Sequence, residues 1–203
     1  MLFRFCLYGF LKNQLYIEPF LILAFLEKGL NFTLIGLLIG FREICINIME
    51  VPSGAAADVL GRRRAMICSF VAYIAAFILF AVAENVVMLF TAMFFFAVGE
   101  VFRTGTHKAI IFAWLEQQGR RGEETSVYGY TRSWSKMGSA VSVVIAGVLV
   151  FVTEDYAVVF FASIIPYAAN IVNFLGYPPY VDGTGSGARS IKEVMRLLAQ
   201  SFG

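Results

Sequence analysis

The chain has 203 residues, 59% hydrophobic and 15% charged, with 21 Phe. A soluble domain of this size could not bury that much apolar side chain, so lipid must solvate it. A net charge of +2, from 16 basic and 14 acidic residues, gives no basic excess for nucleic acid and reports membrane topology instead.

Crossing about 30 Å of hydrocarbon takes roughly 17 to 25 helical residues, and the chain offers six such spans. The first, 6–26, is interrupted by Lys12 and Glu18. The stretch Leu11-Lys12-Asn13-Gln14 offers no small-residue cleavage site, so it reads as mature protein and not as a signal peptide. The second, 32–59, carries Arg42, Glu43 and Glu50; the third, 65–83, is uncharged. The fourth, 85–106, is uncharged as far as Gly99 and then carries Glu100 and Arg103. The fifth, 137–153, and the sixth, 156–176, are uncharged. Beyond them, 182–203 reads as a cytoplasmic Gly/Ser linker followed by an amphipathic helix at 190–202, suited to the inner membrane surface. Short outer connections make this an all-α membrane protein, an up-and-down bundle of six transmembrane helices.

Basic residues set its orientation. With the N-terminus inside, twelve of the sixteen Lys and Arg fall on the cytoplasmic side and Lys28 alone lies outside. The outer turns carry Glu27, Glu84, Glu154 and Asp155, and Trp114 and Trp134 bracket a long inner loop. The expected location is a bacterial-type inner membrane, multi-pass, with both termini cytoplasmic and the lipid bilayer as a partner.

Charges inside a span are costly unless paired. Counted from the outer turn at 29–31, Glu18 and Arg42 share a depth of ~15 to 18 Å, and Lys12 and Glu50 one of ~27 to 30 Å. This predicts a ladder of ion pairs between the first two helices. Glu43 is left over and is the leading candidate for a substrate or proton site; the alternatives are a buried neutral carboxyl or a pair with Arg103. Glu100 and Arg103 join Glu18, Arg42, Glu43 and Glu50 as substrate or coupling candidates. Gly138, Ser142 and Ala146 recur every four residues and let a helix pack closely, either within the bundle or from outside it. Asn170 and Asn173, beside Pro166, read as hydrogen bonders between helices.

Chemistry of other kinds has little support. Cys6, Cys45 and Cys68 are odd in number, far apart and inside predicted spans, where a thiol is a small apolar side chain. No metal spacing occurs, and no cofactor is expected. Ser53, Ser139 and His107 lack the motif context and common depth of a nucleophile and its base, and His107 reads as interfacial.

The loop after the second span reads Gly54-x-x-x-Asp58-x-x-Gly61-Arg62-Arg63. With six spans, a long basic loop after the fourth and an amphipathic segment after the sixth, it resembles the N-terminal half of a major facilitator superfamily transporter. Glu50-x-Pro52-x-Gly54 and the stretch from Gly99 to Thr106 are similar to those of its small-solute and drug-transporting branches. The resemblance implies secondary active transport of a small molecule by alternating access, no enzymatic activity, and a substrate site between two halves. The partner would be a second six-helix half or another copy of this chain. It also implies a conformational latch at Gly54, Asp58, Gly61, Arg62 and Arg63, with the glycines allowing close approach and Asp58 accepting hydrogen bonds from a neighbouring helix N-terminus. The chain departs from the family at Val59, where a basic residue is common, and in a fifth span without the Gly-Pro element of antiporters. The competing reading is a six-span scaffold or assembly subunit that keeps the loop for packing.

Overall fold

The computed structural model describes residues 1–182; the segment 183–203, including the amphipathic helix expected at 190–202, lies outside the described residues, as do the side chains of Ala55 and Asp58. The fold is helical throughout, with no strand among the described residues. The helices are α1 (Leu2–Lys12), α2 (Leu21–Glu27), α3 (Phe32–Leu60), α4 (Arg62–Val82), α5 (Val86–Arg103), α6 (Thr106–Gln117), α7 (Glu124–Thr153) and α8 (Ala157–Leu175), with 3-10 turns at Arg121–Glu123 and Pro179–Asp182. Five stretches are long and apolar enough to cross a membrane by one helix or two in tandem: Phe32–Gly54, Arg62–Val82, Val86–Gln117, Arg121–Thr153 and Ala157–Leu175. Helices α1 and α2 together make the sixth crossing.

Three expectations change. The first span is not one helix: α1 stops at Lys12, and eight residues of irregular backbone separate it from α2. The fourth span breaks at Gly105, whose φ of +76° a side chain rarely adopts, and resumes as α6. The long inner loop is mostly helix. At 30 residues, α7 is ~45 Å long and overruns the ~30 Å hydrocarbon core. Only the turn around 118–123 separates it from α6.

Capping explains where the outer turns fall. Asn31 and Asn85 each accept the backbone N–H three residues on, at 2.9 Å, and so start α3 and α5. Lys28 donates to the carbonyls of Ala81 and Ala83 (3.4 and 3.0 Å) and neutralises the C-terminal end of α4.

The helices pack in the lateral order α3, α5, α4, α8, α1, α7, with α4 at the centre. Two close approaches fix that order. A Cβ on Gly99 would lie 2.6 Å from the ring of Tyr73, and the Gly99 carbonyl accepts from Ser69 Oγ at 2.5 Å, so α4 and α5 meet at that glycine. A Cβ on Gly9 would lie 2.6 Å from the carbonyl of Thr131, and one on Gly138 would collide with the carbonyl of Phe10. The small-residue stripe of α7 therefore meets α1 inside the bundle at Gly138, and Ser142 and Ala146 further along it are also buried. Between these seams lies an aromatic core in which Tyr73, Phe77, Phe96 and Tyr167 meet edge to face at 4.9 to 6.4 Å.

Candidate functional site

Irregular backbone at membrane depth survives only where its polar groups find partners or water. After Lys12 the backbone N–H groups turn onto nearby carbonyls, Tyr167 of α8 supplies the partner of the Lys12 carbonyl, and the Asn13 and Gln14 side chains tie the break to α7. Tyr167 Oη donates to the Lys12 carbonyl at 3.1 Å, Asn13 Nδ2 to the Ser135 carbonyl at 2.6 Å, and Gln14 Nε2 to the Gly138 carbonyl at 2.9 Å. The broken segment forms one side of a chamber of about 520 Å³. Lys12 and Glu18 enter it from the break, Arg42 and Glu43 from α3, and Glu100 and Arg103 from α5. Tyr73, Phe96, Ser139 and Tyr167 also line it.

The charge pairing differs from the predicted ladder. Arg42 pairs with its neighbour Glu43 at 2.5 Å, and its guanidinium lies over the ring of Phe96, 5.6 Å from the centroid. Glu100 pairs with Arg103, and neither forms an ion pair with Glu43. Among the described residues Lys12, Glu18 and Glu50 make no ion pair; Lys12 Nζ sits 5.6 Å from the centroid of the Tyr8 ring. The ladder fails because the first two crossings are not packing neighbours at that depth: α1 lies on α7 and α8, whereas α3 lies on α5. Glu18 and Arg42 therefore share a chamber without touching, and Glu50 is exposed outside it.

Arg103 begins low on α5, but its side chain reaches back up the helix. Its Nε donates to Tyr73 Oη at 3.2 Å, and Tyr73 Oη in turn donates to Glu100. This places a guanidinium, a carboxylate and a phenol in one network on the chamber wall. Sequence reasoning missed Tyr73 and Tyr167. The available signal was a tyrosine in the middle of an apolar span, where its hydroxyl must find a partner.

A second cavity of about 400 Å³ opens below, at the α5–α6 break. It shares Lys12, Asn13, Glu100, Arg103 and Thr104 with the chamber. His107 is 6% exposed and lies against Tyr8, with ring centroids 3.9 Å apart. It is a core residue of the bundle, not an interfacial one. Of the two asparagines of α8, Asn173 bridges helices by donating to the Arg4 carbonyl at 3.1 Å, while both side-chain polar atoms of the buried Asn170 lack a partner.

The loop motif has a definite geometry. Gly61 adopts φ +91°, and a Cβ there would meet Asp182 at 3.2 Å. Asp182 Oδ1 accepts the Arg63 backbone N–H at 2.7 Å, so it supplies the acceptor that the start of α4 needs. Arg62 Nη1 donates to the Ala109 carbonyl at 3.3 Å and Arg63 Nη1 to the Tyr177 carbonyl at 3.1 Å. Tyr177 Oη donates to the Arg4 carbonyl at 3.2 Å, and burial pushes its phenol pKa up. Gly54 behaves differently: nothing lies within 4 Å of a Cβ built on it, so it serves no close approach within this bundle. Asp58 belongs to α3, and its side chain is outside the described residues.

A family model described as Major Facilitator Superfamily matches residues 3–200. No curated protein matches the chain.

Proposed function

From the premise that the chain belongs to the major facilitator superfamily and is a membrane transporter of that type, we propose that its six-helix bundle forms one wall of a solute path worked by alternating access. The observation that carries this reading is the chamber. Six ionisable side chains from the first crossing, α3 and α5 converge on it, in a setting where each charge is costly and marks a pathway for ions or polar solutes. A scaffold would gain nothing from that expense.

A second six-helix bundle completes the path, supplied by a partner or by another copy of this chain. Helices α3 and α7 end the lateral row and keep broad apolar faces outward, with Ile48 69% and Phe151 84% exposed. Such faces suit the lipid bilayer or a facing bundle. The loop around Asp58 acts as the latch between bundles, and the basic loops hold both termini in the cytoplasm of a bacterial-type inner membrane.

The test is solute flux in proteoliposomes containing the purified chain, with its oligomeric state measured in the same preparation. Flux is expected only from a dimer or a two-bundle assembly, and Asp58→Asn should reduce it sharply without altering membrane abundance. Saturable flux from a strictly monomeric chain would overturn the two-bundle reading. Unchanged flux for Asp58→Asn would remove the latch role.

A further inference from the structure

The cavity at the α5–α6 break is electrostatically one-sided. Lys12, Arg103, Lys108, Arg132 and Lys136 line it against a single carboxylate, Glu100, which is already paired with Arg103. Among the described residues the other four cations have no ion-pair partner. Lys108, Arg132 and Lys136 are exposed, while Lys12 is half-buried where the cavity joins the chamber. The 12-residue helix α6 starts here, and Gly105 provides no side-chain cap for its first N–H groups. A helix N-terminus of this kind favours negative charge. His107 also lines the cavity, but its Nε2 is sealed inside the packing of the bundle, where its ring lies against Tyr8.

We propose that this vestibule binds a small multivalent oxyanion, a phosphate or polycarboxylate group, at the cytoplasmic mouth of the chamber. Lys108, Arg132 and Lys136 attract and hold the anion, the N–H groups at the start of α6 complete its hydrogen bonds, and Lys12 sits at the passage inward. The tyrosine rings keep the cations presented: Lys108 Nζ lies 5.8 Å from the centroid of Tyr128. The inference rests on the transport reading only in naming the anion as the solute, because binding itself requires no flux.

The experiment uses the full chain purified in a neutral detergent, with pyrophosphate and citrate as soluble probes followed by calorimetry. A parallel arm compares thermal stability in nanodiscs of pure phosphatidylcholine with nanodiscs containing phosphatidylglycerol. The variant is K108Q/R132Q/K136Q, whose sites are all exposed. Saturable binding of a soluble anion is expected, weakened roughly tenfold or more in the triple variant, as loss of charge-assisted hydrogen bonds implies. Stabilisation by phosphatidylglycerol alone, lost in the triple variant, would support the site and assign the oxyanion to a lipid headgroup. Absence of binding in both arms, or binding unchanged in the triple variant, would overturn the proposal. Anion binding by a chain that shows no flux in any assembly would leave the vestibule standing and defeat the transport reading alone.

Discussion

Tyr167 in α8 donates a hydrogen bond of 3.1 Å to the carbonyl of Lys12, the residue at which the first crossing loses its helix. The bond couples the sixth crossing to the chamber wall. Tyr167→Phe leaves that carbonyl without its partner and should lower unfolding stability by about 0.5 to 1.5 kcal/mol. Denaturant titration in detergent would measure it. A loss no larger than that of an exposed control such as Tyr130→Phe would mean that the break holds its shape without this bond.

The observed pairing predicts which charges couple. Glu100→Gln and Arg103→Gln should be non-additive by about 0.5 to 3 kcal/mol in a double-mutant cycle, because the two groups and Tyr73 share one network. Glu18→Gln and Arg42→Gln should add within about 0.5 kcal/mol, since those side chains do not touch. Strong coupling of Glu18 with Arg42 would restore the ladder between the first two crossings.

Gly99→Ala places a methyl group against the ring of Tyr73 and should destabilise the bundle by about 1 to 3 kcal/mol. Gly36→Ala is the matched control. Nothing lies within 4 Å of a Cβ there, and alanine favours helix, so its effect should be neutral or slightly stabilising. Thermal unfolding of the two variants side by side checks this, and equal effects would contradict the close approach of α4 and α5.

Asp182 caps α4 from 119 residues away. Asp182→Ala should lower stability by about 1 kcal/mol, whereas Asp182→Asn, which keeps an acceptor, should retain most of it. Amide exchange over the first turn of α4 is the readout. Equal protection in both variants and the parent chain would show that another group satisfies the Arg63 N–H.

Orientation is tested by single cysteines in a cysteine-free background. Cysteines at Glu84 and Asp155 should react with an impermeant thiol reagent applied outside, and one at Arg120 should be protected. The reverse pattern would invert the topology.

The sequence alone determined that the chain is an all-helical membrane protein of the major facilitator type. Hydrophobic transfer is summed over consecutive residues, so the edges of α4 and α8 fall within a few residues of the uncharged runs. The spacing from Gly54 to Arg63, read with the order of the spans and the basic loop, pointed to the family that the match over residues 3–200 shows. Tertiary structure alone decided who meets whom. Arg42 turned to Glu43, Asp182 came to the start of α4, and the stripe at Gly138 closed on α1. The break after Lys12 is held by the hydroxyl of Tyr167, which donates to the Lys12 carbonyl, and by α7 carbonyls that accept from the Asn13 and Gln14 side chains. Apolar helices that share one hydrocarbon layer admit several lateral orders. The order found here follows from a few glycine contacts and from polar groups that need partners across more than a hundred residues, and neither is legible in any single span.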